Sequence, residues 1–205
     1  RYLNPWPRPM QQPHPPAYIV GTGSPETIEL AAEFGFGYSV VFIPTVAQLE
    51  TFDVYRERLA HHGHEVTSDK TTIGVFAYVA ETEEQAKEEF MPHVMYFFEK
   101  ALRTTPRYLI PPGYVTVPEF RKRITGADVH GNANWDDLVA FNRIVAGTAE
   151  QVADAIGNWI EEAQTSRVNL NLTIGDMPNW KVVKNTTLFA EEVIPRVRNR
   201  TAVPA

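Results

Sequence analysis

Cysteine is missing altogether from the 205-residue sequence. That absence excludes disulfides, thiolate zinc sites and cysteine nucleophiles together. Bases are in short supply as well: 19 Lys and Arg stand against 25 Asp and Glu, a formal net charge of -6. A nucleic-acid partner calls for a basic face, so none is expected here. No apolar run approaches the roughly 20 residues of a membrane-spanning helix. No secretory leader is recognisable either, which makes a cytoplasmic location the default expectation. What remains is ordinary globular material, 43% hydrophobic and 21% charged. It suffices to bury a core in one large domain or two small ones.

Proline is plentiful, and its placement divides the chain. Pro5, Pro7, Pro9, Pro13, Pro15 and Pro16 crowd the first sixteen residues. They forbid a helix there and favour an extended lead-in. The chain opens at Arg1, without an initiator Met, inside this segment. Two expectations follow: a tag or tail, or a piece of a longer protein cut in a connecting segment.

Beyond residue 16 the pattern alternates. Short apolar runs at 17–21, 38–43, 71–80 and 168–174 read as strands. Between them lie amphipathic stretches with helix signals. Ser24 and Pro25 form a cap followed by a first-turn proline. Leu49, Phe52, Tyr55 and Leu59 recur at spacings of three and four. Thr82 with Gln85, and Thr148 with Gln151, have capping-box spacing. Ala86, Phe90, Val94, Phe97 and Ala101 line one face of a long helix, with Pro92 placed to kink it. A last helix begins near Pro178 and turns Val182, Phe189 and Val193 inward. Residues 105–147 break the rhythm, being rich in Pro, Gly and Asn with one helix from about 135 to 141. A loop-rich stretch of that length is functional or disordered.

Four strand–helix units imply a parallel sheet with helical crossovers. Two architectures satisfy this: a small doubly wound sheet, or half of a (β/α)₈ barrel, which needs eight strands and roughly 250 residues. The cut-looking start favours the half barrel.

Gly21-Thr22-Gly23-Ser24-Pro25-Glu26-Thr27 is the strongest chemical signal. It follows a strand and opens a helix, so unpaired N–H groups and three hydroxyls meet where two glycines permit close approach. A phosphate group suits it. An ordinary capped turn suits it too, because Glu26 replaces the third glycine of a dinucleotide fingerprint and no P-loop lysine is present. His61, His62 and His64 cluster at a helix end, where cations are favourable anyway, so no metal site is expected. His14, His93 and His130 are isolated. Glu83, Glu84, Glu88 and Glu89 fall near a helix start and are expected on its wet face. The sequons at Asn171 and Asn185 carry no meaning in a cytoplasmic protein. Tyr18, Tyr38, Phe42, Phe76 and Tyr78 lie on strands and are expected mostly in the core.

Taken in order, several of these segments resemble the luciferase-like flavin monooxygenases. Pro16-Ala17-Tyr18-Ile19-Val20 with Gly21 to Thr27 and Glu29-Leu30-Ala31-Ala32 looks like the middle of that family. The lead-in at Asn4 to Pro9 and Gln12 to Pro15 is similar to theirs. So are Tyr55-Arg56-Glu57, Val145 to Thr148 with Glu150-Gln151-Val152, Gly175-Asp176-Met177-Pro178, and Leu188 to Arg196. The resemblance covers about residues 4–198. It implies that residues 1–205 form one partial domain, the second half (strands five to eight) of a (β/α)₈ TIM barrel. Residues 1–16 would be the lead-in and 105–147 a lid. It further implies an oxidoreductase using reduced FMN and oxygen, or in some branches F420, on a small organic substrate such as an aldehyde or alkane. A separate flavin reductase would be its partner, and the full-length protein would be a homo-oligomer. The flavin phosphate would lie on Gly21, Thr22, Gly23, Ser24 and Thr27, with Phe42 near the flavin ring. The family's phosphate-handling arginines and catalytic histidine belong to the first half. A non-catalytic flavin-binding relative, or an inert fragment, is the alternative from another class, and the fragment alone is expected to be inactive.

Overall fold

A computed structural model describes residues 6–12, 14–41, 45–101 and 134–201. Its centre is a parallel sheet: β1 (Tyr18–Gly21), β2 (Gly37–Val41), β3 (Thr71–Val79), β4 (Ile144–Gly147) and β5 (Val168–Asn171). Around it run α1 (Pro25–Glu33), α2 (Thr45–His61), α3 (Glu83–Tyr96), α4 (Trp135–Ala140), α5 (Ala149–Glu162), α6 (Asn179–Leu188) and α7 (Ile194–Thr201). The chain folds as an α/β unit around that parallel sheet.

β3 is the hub, and all nine of its residues are buried. Gly74 faces both Val41 and Asn169, and Phe76 faces both Ile144 and Asn171. A strand has only two sides. β2 and β4 therefore follow one another along one side of β3, and β5 takes the other. Here the structure corrects the expected count of four strands, because β4 is a fifth. It was hidden in a short apolar run that leads directly into the capped start of α5.

The other correction concerns the last strand, expected over 168–174 and ending at Asn171. Beyond that point an asparagine side chain replaces the ladder. Asn185, fully buried on α6, accepts from the Val79 N–H at 2.9 Å and donates to Ala77 O at 2.9 Å and Leu172 O at 3.0 Å. A primary amide carries both donor and acceptor, so it can stand in for one residue of a paired strand.

Successive side chains of β3 enter two separate cores. Ile73, Val75, Ala77 and Val79 join α1, α2 and α5 through Ile28, Phe52, Tyr55, Leu59, Val152 and Ile156. Phe76, Tyr78 and Ala80 join α3 and α4 through Phe90, Val94 and Leu138. That two-sided covering explains why β3 is apolar without alternation. β5 does alternate: Val168 and Leu170 touch the first core, while Asn169 and Asn171 are exposed.

The helix caps follow the sequence closely. Thr148 and Gln151 close a full capping box on α5. Thr82 accepts from the Gln85 N–H, but the Gln85 side chain donates to Glu89 instead of completing the box. α3 runs through Pro92 and passes into a π-helical turn at Phe97–Ala101.

Candidate functional site

The loop at the C-terminal end of β1 holds five of the six expected binding residues. Open α/β sheets place ligands at this end of their strands. Gly23 has φ of +93°, a conformation that only glycine takes readily. Ser24 is extended and caps α1, its Oγ accepting from the Thr27 N–H at 3.3 Å. Its carbonyl takes the Thr27 and Ile28 N–H groups, each at 3.1 Å. The two hydroxyls lie 2.7 Å apart. One proton is shared between them, so the second hydroxyl proton remains available to an outside acceptor. Thr22 is exposed. Gly21, Thr22, Gly23, Ser24 and Thr27 are thus brought together, while Phe42 lies outside the described residues.

Under this loop sits Tyr38 of β2, fully buried. Its hydroxyl accepts the Gly23 N–H at 3.1 Å. A Cβ at Gly21 would collide with the same hydroxyl, and one at Gly23 would lie 3.2 Å from Thr51 Oγ1 of α2. Tyr38 was expected simply as core. Its pairing with the loop spans fifteen residues, and no local pattern announces it.

Two clefts open elsewhere. One, of about 340 Å³, lies between α1 and α2 and is lined by Pro25, Glu26, Ile28, Glu29, Val54 and Arg58. The other, of about 290 Å³, lies beside α4 against Lys87 and Trp135. Neither is lined by Gly21, Thr22, Gly23 or Ser24. Of the segment expected as a lid, residues 134–147 carry α4 and β4, and 105–133 lie outside the described residues.

Among the described residues no group of three His, Asp or Glu is placed to hold an ion. His62 instead meets Glu29 at 2.8 Å, and that hydrogen bond holds the Glu29 carboxyl below its usual range. His64 meets the Glu33 carbonyl at 3.0 Å. His130 lies outside the described residues.

Sequence reasoning missed a polar seam between α3 and α6. Glu89, expected on the wet face, accepts from Tyr78 Oη at 2.7 Å, Gln85 Nε2 at 2.9 Å and Lys184 Nζ at 3.0 Å. Burial works to raise its carboxyl, but these three donors together outweigh burial and hold it low. Burial first, and then the Glu89 hydrogen bond, push the Tyr78 phenol up. Lys184 also pairs with Glu81 at 2.9 Å. Lower in the seam, His93 Nδ1 meets Asp176 Oδ1 at 2.6 Å, while Lys181 donates to His93 Nε2 at 3.1 Å and to Glu89 O at 2.7 Å. Two lysines three apart on one helix, facing acids on another, were the available signal.

A family profile described as luciferase-like monooxygenase matches residues 1–166. The chain belongs to that family. Searching curated proteins returns no match. Solved structures agree on the fold. The monooxygenase RslO1 from Streptomyces bottropensis superposes with a TM-score of 0.66 at 22% identity, over 93% of this chain and 50% of its own. The oxygenating constituent of 3,6-diketocamphane monooxygenase from Pseudomonas putida, solved with FMN, gives 0.62 at 21%, over 88% and 48%. An F420-dependent secondary alcohol dehydrogenase gives 0.58 at 21%, over 89% and 49%. This luciferase-like chain thus spans about half the length of the structures it matches. Among the described residues, no helix is long and apolar enough to cross a membrane.

Proposed function

We propose that this chain supplies the phosphate-loop half of an FMN-dependent monooxygenase of the luciferase-like family. The observation that carries the reading is the loop after β1. There a left-handed glycine, a helix start and an open hydroxyl proton converge at the C-terminal end of a parallel strand. These groups fit a phosphate monoester. Ser24 and Thr27 offer hydroxyls, Thr22 adds an exposed one, and the glycines keep side chains from blocking the approach. Reduced FMN, when bound, supplies the electrons for oxygen chemistry on a small organic substrate, and a separate reductase would renew it. Gly21, Thr22, Gly23, Ser24 and Thr27 hold the phosphate end, and Phe42 is proposed beside the ring. Of the stretch 105–147, the part before β4 is proposed as the cover that keeps water out of the pocket. A homo-oligomer is proposed for the whole protein.

A second reading keeps the loop and changes the cofactor. It is favoured by the similarity to the F420-dependent dehydrogenase, whose TM-score and coverage are close to those of the two monooxygenases. Oxygen uptake decides between the two. With photoreduced FMN and a panel of aldehydes and alkanes, substrate-dependent oxygen consumption supports the monooxygenase. Anaerobic reduction of F420 by an alcohol supports the dehydrogenase. Flavin binding without either turnover supports a non-catalytic relative or an inert fragment.

A further inference from the structure

A fully buried side chain lies directly beneath the proposed phosphate loop. We propose that Tyr38 is the positioning residue of this loop, fixing the Gly21–Ser24 turn in its ligand-ready form before any anion arrives. The inference rests on the phosphate reading above.

Three observations converge on it. The Tyr38 hydroxyl is sealed from water, and the Gly23 N–H donates to it at 3.1 Å. That hydrogen bond ties the loop backbone to a side chain that is itself fixed in the core, so loop and tyrosine are coupled. Gly21 lies so close over the ring that any side chain there would strike the hydroxyl. The glycine is therefore required by Tyr38 from below, not only by a ligand from above. Finally, the ring cannot drift. It stacks on Tyr55 at 5.6 Å, and the Tyr55 hydroxyl donates to Phe36 O at 2.7 Å.

The consequence is preorganisation. Gly23 directly precedes Ser24, whose hydroxyl shares its hydrogen bond with Thr27. Fixing the Gly23 amide fixes where that hydroxyl pair sits relative to Gly21. A loop already ordered loses less entropy when it binds. Tyr38 touches neither phosphate nor flavin in this scheme. It acts through Gly23.

The test uses the 205-residue chain with FMN and riboflavin as probes, and two variants that attack the contact from opposite sides. Tyr38→Phe keeps the buried ring and removes the acceptor. Gly21→Ala leaves the tyrosine intact and drives a methyl group into its hydroxyl. In wild type the Gly23 amide should be protected from hydrogen exchange, and in both variants that protection should fall. FMN should bind about tenfold more weakly in each variant, the effect of roughly one hydrogen bond, with riboflavin changed by less than about twofold. Melting temperature separates loop effects from loss of fold. Unchanged Gly23 protection in Tyr38→Phe overturns the proposal, as does an equal loss of both flavins in a variant that stays folded. Equal affinity of the wild type for the two flavins would overturn the phosphate reading itself. Gly23 protection would still report separately on whether Tyr38 holds the loop.

Discussion

Ser24 caps α1, and the same oxygen is proposed to hold a phosphate, so two jobs can be separated. As the cap of α1 it accepts from the Thr27 N–H, and Ser24→Ala should cost about 1 kcal/mol of stability, read by urea denaturation. As a phosphate ligand it should contribute a charge-assisted hydrogen bond, so FMN should weaken by about 1.5–3 kcal/mol while riboflavin barely changes. Equal weakening of both flavins would leave only the cap. Gly23→Val should be worse, because a branched side chain at φ of +93° is strained and its Cβ meets Thr51. Asn185 tests the other buried contact. Asn185→Leu would leave the Val79 N–H and two carbonyls without their amide partner. The expected loss is about 3 kcal/mol or more, measured as a shift in denaturation midpoint. Ser24 was legible in the sequence because capping is decided within four residues. Tyr38 and Asn185 were not, because their partners lie fifteen and more than a hundred residues away. Both residue types also have a bland use, as core and as helix surface.

At the scale of elements, the helices were the readable part, since each carries its own cap and apolar stripe. α1, α3 and α5 start where Ser24, Thr82 and Thr148 placed them. β4 escaped because four apolar residues beside a cap look like a lead-in until β3 is there to pair with them. The α3–α6 seam escaped because an acid on a helix is wet or dry according to its neighbour across the gap, and sequence order does not name that neighbour. Its pH behaviour follows from the directions of shift. Glu89 is held low once its hydrogen bonds outweigh burial, Glu81 by its hydrogen bond to Lys184, and Asp176 by its hydrogen bond to His93. A carboxyl held low in the folded state stabilises that state above its unfolded value, and the benefit is lost as pH falls through the folded value. The ordinary values are 4.5 for Glu and 3.8 for Asp. The seam should therefore be fully intact at neutral pH and weaken below about pH 4.5. Thermal melts from pH 7 down to pH 3 should show this decline. The decline should be shallower in Glu89→Gln combined with Lys184→Met, which removes the central pair and leaves only the exposed Glu81 carboxylate without its lysine. An identical slope in wild type and double variant would show that the seam does not govern acid stability.

For the molecule as a whole, parallel strands and short crossovers were enough to reach the fold class, because βαβ order allows few alternatives. The sequence could not say how the sheet ends, and the structure does. Among the described residues β1 pairs only with β2, and β5 only with β3. Among those residues both strands are edges. Val20 on β1 is 60% exposed, an apolar side chain at an edge that lacks proline or charge within the strand. β5 exposes Asn169 and Asn171 on one face, while the half-buried Val168 and Leu170 pack against the core on the other. Natural edges are blunted by lysine, proline or bulges, because unpaired N–H and C=O groups recruit partners. Neither of these strands contains a lysine or a proline. The 205-residue chain on its own should therefore self-associate, and light scattering across a dilution series should show mass rising with concentration. A charge placed in the edge supplies the control. Val20→Lys substitutes a largely exposed side chain, so the fold should survive while association falls. If wild type is instead a monodisperse monomer with one cooperative melt, these edges are already satisfied within the chain, and the half-barrel account of the sheet would have to give way to a closed, small doubly wound domain.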